Sequence, residues 1–380
     1  PEALGGAQKV VTAEEYETIE RYKRLQEVLD VVEQQYYVDP DEDRLLQGAI
    51  DGLLESLDDP YTYYYTPEEM LSQSEHSAGI YEGVGLQLSA DKQGDIVVVR
   101  AFKGGPAQRA GIKAGDIITA VGGRPVDGSS SKALSDAIDR IKGALDTTVR
   151  LSVLREGAKL EFELARGTIS INRVEWQMLD GQIGYLMLYE FMGDDVTGFD
   201  EAIAALTGQG ARALVIDVRS NPGGLLTDVV SIADRLLPEG LVVYIENRAG
   251  ERENYYSDKE ALGLPLAVLV NGMSASASEI LAGAVQDYGV GTVVGETTYG
   301  KGIVQTLVPF RSDGAGMQLT TARYFTPKGR SIHGVGIVPD IAVAGDPDFD
   351  PSLSAPSPEN DAQLRAAIER LTEQLASQRR

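Results

Sequence analysis

The sequence predicts a multi-domain α/β chain: an N-terminal helical segment, an inserted β-rich domain, an α/β core and a C-terminal helix. Three observations carry this reading. Apolar residues recur with helical period between residues 12 and 36. The texture turns to short strand-like runs broken by glycine between residues 79 and 166. Beyond that, strands alternate with helices, as an α/β domain requires. The expected segments are 1–78, 79–166, 167–344 and 345–380.

In the first segment Ile19, Tyr22, Leu29, Val32 and Tyr36 fall at spacings of three, four and seven, with charged residues between them. Pro40 stops the run, and a second helix is expected over 43–57. So narrow an apolar stripe on a terminal helix suits a partner helix and predicts a homodimer. The plainer alternative is that it covers its own body. In the second segment, strands are expected over 83–88, 95–100 and 148–155. A short helix opened by Pro106 runs into a further strand near Ile117, and another helix is expected over 134–141. In the third, strands are expected over 183–188, 213–217, 266–270 and 292–295, and helices over 196–206, 225–236 and 277–287. Residues 345–358, rich in Pro, Asp and Ser, read as a linker to an amphipathic helix over 361–374.

Composition narrows the function. The length of 380 residues suits about two or three domains, and 43% apolar with 24% charged residues is ordinary globular usage. A formal charge of −24 repels phosphate backbones, so nucleic acid is not an expected partner. With only His76 and His333 and no cysteine, a multi-histidine metal site, a thiolate nucleophile and a disulfide framework are all set aside. No window approaches the ~18 consecutive apolar residues of a membrane-spanning helix. A start at Pro1 leaves room for a removed upstream signal peptide or anchor.

Three segments carry the candidate chemistry. Asn271-Gly-Met-Ser-Ala-Ser-Ala-Ser-Glu279 follows a buried strand and opens a helix, a place where backbone N–H groups and the positive helix end converge. One of its serines would cap the helix in any case, but three exceed what a cap needs. Gly295-Glu-Thr-Thr-Tyr-Gly-Lys301-Gly302 nearly matches a P-loop. It fails because residue 302 is Gly rather than Ser or Thr, and because 303–310 reads as strand rather than helix. No cofactor is therefore expected. What remains is a lysine between glycines in a mostly apolar stretch, where desolvation would lower its pKa from ~10.4 toward that of a general base. A Ser–Lys pair is a known variant of the nucleophile–base arrangement. The histidines are poorer bases by context, since His76 lies in a polar stretch and His333 in a turn-like one. Third, Asp217-Val-Arg-Ser-Asn-Pro-Gly223-Gly224 is another strand-to-helix junction, whose open glycine N–H groups could hold an oxyanion or merely form a tight turn.

In order and spacing these three segments resemble the carboxyl-terminal processing proteases, PDZ-containing Ser–Lys peptidases of bacterial envelopes and plastid lumens. Leu57-Asp-Asp-Pro-Tyr61 and Tyr324-Phe-Thr-Pro-Lys-Gly-Arg-Ser-Ile332 resemble further family stretches, and residues 79–166 resemble the family's inserted PDZ domain. The resemblance implies an extracytoplasmic serine endopeptidase. The middle serine, Ser276, would be the nucleophile, Lys301 the base and Gln305 the group that orients it. Ala277 with Gly223 or Gly224 would donate to the oxyanion. It also implies protein or peptide substrates recognised by free C-termini, which add as a strand beside the loop Gly83-Val84-Gly85-Leu86. An activating adaptor and gating by the PDZ domain belong to the same expectation. The rival reading is a PDZ-bearing scaffold whose peptidase domain is inactive, against which all three catalytic side chains speak.

Overall fold

The computed structural model describes residues 12–78, 80–90, 94–102, 104–126, 128, 131–171, 173–258, 260–346 and 357–377. The chain divides into two units, one of residues 1–66 with 307–319 and the other of 67–306 with 320–380.

In the smaller unit, helices Ala13–Gln35 and Glu42–Glu55 precede a short strand, Tyr63–Tyr65. Asp41 caps the second helix by accepting from the Arg44 N–H at 3.1 Å. Tyr63 to Tyr65 pair antiparallel with Gly316 to Gln318, so the unit is closed by residues from far along the chain. Of the expected apolar stripe, Leu29 and Val32 are half-buried and Tyr22 and Tyr36 exposed, while the Ile19 side chain lies outside the described residues. Tyr16, Leu25, Val28 and Val31 are exposed as well.

The larger unit is built on a six-stranded sheet. Its order is Val174–Leu179, Ile183–Leu188, Ala213–Asp217, Leu266–Val270, Gly291–Gly295, Ile341–Ala342; the first pair is antiparallel and the rest parallel. Runs such as Ala-Leu-Val-Ile-Asp and Leu-Ala-Val-Leu-Val are apolar almost throughout because both faces are covered. Alternate residues go to opposite sides. Leu214, Ile216, Val268 and Val270 join a core with helices Asp195–Gly208, Leu226–Asp234 and Ala277–Tyr288. Ala213, Val215, Ala267 and Leu269 meet Leu364, Ala367, Leu371 and Leu375 of the last helix, Ala362–Ser377. Each buried leucine there contributes roughly 1.5–3 kcal/mol. A hairpin, Gly240–Asn247 and Arg252–Ser257, pairs with Ala322 to Phe325.

The β-rich segment is an antiparallel sheet ordered Leu86–Ala90, Ile96–Ala101, Ile117–Val121, Thr148–Arg155, Ala158–Ala165. Helices Pro106–Arg109 and Ser131–Ile141 accompany it, and Val98, Leu151 and Ala137 share its own small core. Ile80–Gly83 and Gly167–Ser170, paired antiparallel, lead the chain in and out.

Candidate active site

Parallel strands end together at one edge of the sheet, and the loops that follow them are where an α/β fold places its chemistry. Asp217, Val270 and Gly295 are such ends, and each opens one of the three segments singled out in the sequence.

The three serines after Val270 prove to be unlike. Ser274 is fully buried, with its hydroxyl donating to the Val218 carbonyl at 2.7 Å and accepting from the Asn271 N–H at 3.0 Å. Ser278 is fully buried too, donating to the Asn221 carbonyl at 3.0 Å. Ser276 alone is partly accessible. It sits at the head of helix Ala277–Tyr288 with φ +54° and ψ −113°, a conformation few non-glycine residues adopt and one that functional sites retain. The outer serines therefore hold the turn together, and the middle one is presented by it.

Glu279 ties this turn to the lysine segment. Fully buried, it accepts from the Ser276 and Lys301 N–H groups through Oε2, at 2.9 and 2.8 Å. Through Oε1 it accepts from the Gly300 N–H at 2.7 Å and the Thr298 hydroxyl at 2.5 Å. The buried Tyr324 hydroxyl lies against the carbonyls of Ser276, at 3.1 Å, and of Lys301; burial, with the Glu279 charge nearby, raises its pKa well above the usual phenol value. The main chains of Ser276 and Lys301 are thus fixed by shared partners.

The glycines around Lys301 have a steric reason. A side chain at Gly302 would meet the His333 nitrogen at 2.5 Å, and one at Gly300, where φ is +90°, would meet the Val335 and Gly336 nitrogens at 3.1 Å. The segment is pressed against residues 333–336, with Lys301 between. Lys301 lies just ahead of the strand Ile303–Pro309 rather than within it, and that strand stands where a P-loop would need a helix. Gln305 donates from Nε2 to the Thr320 hydroxyl at 3.3 Å, which orients its amide and leaves Oε1 as the acceptor end. Of the two histidines, His333 is exposed in the turn behind Gly302. His76 belongs to helix Pro67–Ala78, and its side chain lies outside the described residues.

The Pro-Gly-Gly turn reaches the serine turn directly. The Ala275 N–H donates to the Asn221 carbonyl at 3.0 Å, and the Ser220 N–H to Asn271 Oδ1 at 2.9 Å. Gly223 must be glycine: at φ +104° a Cβ there would sit 2.7 Å from Ser276 Cβ and 2.8 Å from the Ala277 nitrogen. Its own N–H is engaged, donating to Asn221 Oδ1 at 2.8 Å. Gly224, at φ +141°, packs on Phe191, where an added Cβ would fall 2.0 Å from the carbonyl oxygen. Behind the turn, Arg219 donates to Asp217 and, at 2.7 and 3.0 Å, to Asp361. All three residues are buried, and Asp361 also caps the C-terminal helix by accepting from the Leu364 N–H. Burial disfavours the guanidinium charge, but the two carboxylates outweigh it and raise its pKa.

The loop Gly83-Val84-Gly85-Leu86 borders a cavity of about 550 Å³ whose other walls include Pro222 and Met273, so the small sheet and the rim of the serine turn face one space. Val84 is buried, and its carbonyl and that of Gly85 accept from Ala107 and Phe102. Gly85 takes φ +79°.

Sequence reasoning missed Glu279, Tyr324 and Arg219 as parts of this arrangement. Glu279 had a signal: it stands three residues after Ser276 at a helix start, the spacing of a capping box.

Against known proteins, residues 182–343 match Peptidase family S41, 97–155 a PDZ domain, and 5–69 the N-terminal domain of the activating protease CtpB. A carboxy-terminal-processing protease of Bartonella bacilliformis is 35% identical over 349 residues, covering 89% of this chain and 78% of its own. The chain belongs to peptidase family S41. A protein of Staphylococcus aureus described as a probable CtpA-like serine protease is 34% identical over 84% of this chain, which spans 64% of that protein. Among solved structures, a photosystem II D1 C-terminal processing protease superposes with a TM-score of 0.55 at 31% identity, covering 94% of this chain and 98% of its own. This S41 chain is accordingly a serine peptidase made of a helical N-terminal region, a PDZ domain, an α/β catalytic core and a C-terminal helix. Among its described residues no helix is long and apolar enough to cross a membrane.

Proposed function

We propose that the chain is an endopeptidase that cuts exported proteins near their C-termini with Ser276 as nucleophile, Lys301 as base and Gln305 as the residue orienting that base. One observation carries the choice of nucleophile: of three alternating serines, two are buried and bonded to carbonyls, and only Ser276 is presented. The Lys301 amine, neutral when it acts, takes the Ser276 hydroxyl proton as Oγ attacks the scissile carbonyl. An amine N–H held by Gln305 Oε1 would turn the lone pair toward that proton. The oxyanion is received by the N–H groups of Ala277 and Gly224; Gly223 instead supplies the close approach, since its N–H already serves Asn221. The lysine then returns its proton to the departing amine, and water releases the acyl group by the same route.

The PDZ domain selects chains by their free C-termini and gates the site, the loop Gly83–Leu86 bordering a cavity that also reaches Met273 of the serine turn. The similarity of residues 5–69 to the N-terminal domain of an activating protease fits an enzyme that acts in the cell envelope or outside it, under an adaptor. The exposed apolar residues of helix Ala13–Gln35 suit self-association through a second copy.

The test is cleavage of an unfolded protein by wild type, Ser276→Ala and Lys301→Arg, each with and without C-terminal peptides. Both variants should lose at least ~10⁴-fold in kcat, the second because a guanidinium keeps its proton near neutrality. An active Lys301→Arg enzyme would move the base elsewhere, and a wild type no faster than Ser276→Ala would leave a scaffold.

A further inference from the structure

The cavity between the PDZ sheet and the catalytic sheet is lined by a cation with unmade hydrogen bonds. Arg100, on strand Ile96–Ala101 opposite Gln87, lines it with a side chain only 11% exposed. Its guanidinium is stacked 3.8 Å over the Tyr189 ring and 4.7 Å from the Phe102 centroid. The Glu175 carboxylate, which accepts from the Tyr189 hydroxyl, stands 3.9 Å from Nη1, too far for a hydrogen bond. Nε and Nη1 are both buried, and neither donates a hydrogen bond to any described residue. Burial lowers the pKa of this guanidinium against the pull of Tyr189 and Glu175. Two unmade donors on a buried charge are costly, and such groups are normally completed by an acceptor.

The loop itself is less open than its sequence promises. Tyr81 crowds the start of the loop, since an added Cβ at Gly83 would meet Cε2 of its ring at 2.8 Å, and the carbonyls of Val84 and Gly85 are already bonded to Ala107 and Phe102. Leu88, Ile138, Ile141 and Met187 give the wall its apolar patches, and its other cations are engaged elsewhere: Arg173 with Glu190, Arg219 with Asp217 and Asp361, and Lys142 over the Tyr81 ring.

We propose that this cavity receives an apolar peptide end whose free carboxylate is bound by the Arg100 guanidinium, and not chiefly by the N–H groups of the Gly83–Leu86 loop. The receptor is then composite. Its cation comes from the PDZ domain, and the Tyr189 ring and Glu175 that hold that cation come from the catalytic sheet. A bound carboxylate takes up donors that Glu175 does not reach, so recognition of a chain end occurs at the seam between the two domains.

This rests on the C-terminal recognition proposed above, and it is tested apart from catalysis by measuring binding in the Ser276→Ala background. A fluorescent peptide of about ten residues ending in Val, as free acid and as C-terminal amide, is titrated with the Arg100, Arg100→Lys and Arg100→Met forms. With Arg100 the acid should bind at least about tenfold tighter than the amide. Arg100→Met should bring that ratio below about twofold by weakening the acid alone, and Arg100→Lys should keep part of it. An acid-to-amide ratio that survives Arg100→Met, or an Arg100 form that binds both peptides equally, overturns the proposal. Should Arg100→Met fail to fold, Arg100→Gln, polar but uncharged, decides: loss of the preference in a folded protein supports the proposal, and an unchanged preference overturns it. A failure of the Ser–Lys reading would appear in the cleavage assay and leave these titrations unaffected.

Discussion

The two turns that meet at the candidate active site are anchored by opposite means. The serine turn is held by Glu279, an acidic group that accepts from four uncharged donors, all within 25 positions of Ser276. The Pro-Gly-Gly turn is held by Arg219, a guanidinium shared between Asp217 beside it and Asp361, 142 residues away at the cap of the last helix. The first anchor is local and joins the proposed nucleophile to the proposed base. The second is long-range and makes the same turn depend on how a separate helix is docked. Damage to one should therefore register mainly in chemistry, and damage to the other mainly in stability.

The sharpest way to break this contrast is Glu279→Gln. One carboxyl oxygen becomes an NH₂ group facing two N–H donors, leaving them unmet in the interior. The Ser276 and Lys301 main chains lose their common acceptor, so kcat should fall by at least about 100-fold with KM changed by less than about threefold. Steady-state kinetics on a protein substrate checks this. Activity within tenfold of wild type would show that Tyr324 and the buried serines suffice to hold the turn.

Arg219→Met probes the second anchor. Removing the guanidinium leaves two buried carboxylates facing each other, a change that typically costs about 3–5 kcal/mol. Calorimetry should show a markedly lower Tm, and hydrogen exchange should rise first in helix Ala362–Ser377, whose cap loses its partner. Activity below the transition should drop only about tenfold, because Gly223 and Gly224 remain tied to Asn221 and Phe191. A loss in kcat as large as that of Glu279→Gln, with an unchanged Tm, would mean that Arg219 serves the chemistry and not the docking of the last helix.

The contrast also marks what the sequence could disclose. The parallel strands were legible because burial on both faces leaves unbroken runs such as Leu-Ala-Val-Leu-Val, and their observed ends match the expected ones closely. The local anchor was within reach, since Ser276 and Glu279 stand at capping-box spacing. The long-range one was not: nothing near Arg219 announces that its second carboxylate lies beyond the linker. Likewise the pairing of Tyr63 to Tyr65 with Gly316 to Gln318 joins stretches with no local signal of each other. Charged strands such as Ala158–Ala165 escaped a reading tuned to apolar runs, though Leu160, Phe162 and Leu164 alternate as one buried face should. Arg100 had no signature at all. Its significance arises from Tyr189 and Glu175, brought to it by the folding of a different domain.

The smallest expected effect concerns a like-charge pair behind the Pro-Gly-Gly turn, for which the serine turn shows no counterpart. Phe191, bonded through its N–H and carbonyl to Gly223 and Leu225, leads into the helix headed by Asp195, and Asp228 lies in the helix that follows Leu225. Burial, with the Asp228 charge beside it, pushes the Asp195 carboxyl up to about 7. In the unfolded chain Asp195 loses its proton near pH 4, so between about pH 4 and 7 the folded state holds a proton that the unfolded state lacks. Stability contributed by this group is therefore full below that window and is lost as the pH rises through it. Asp195→Asn, neutral at every pH, should leave stability nearly unchanged at pH 4 and raise it by on the order of 2 kcal/mol at pH 8. Denaturant unfolding at the two pH values measures the difference directly. An equal change at both would mean that the pair does not titrate with folding, and that the Pro-Gly-Gly turn carries no more electrostatic strain than the serine turn opposite.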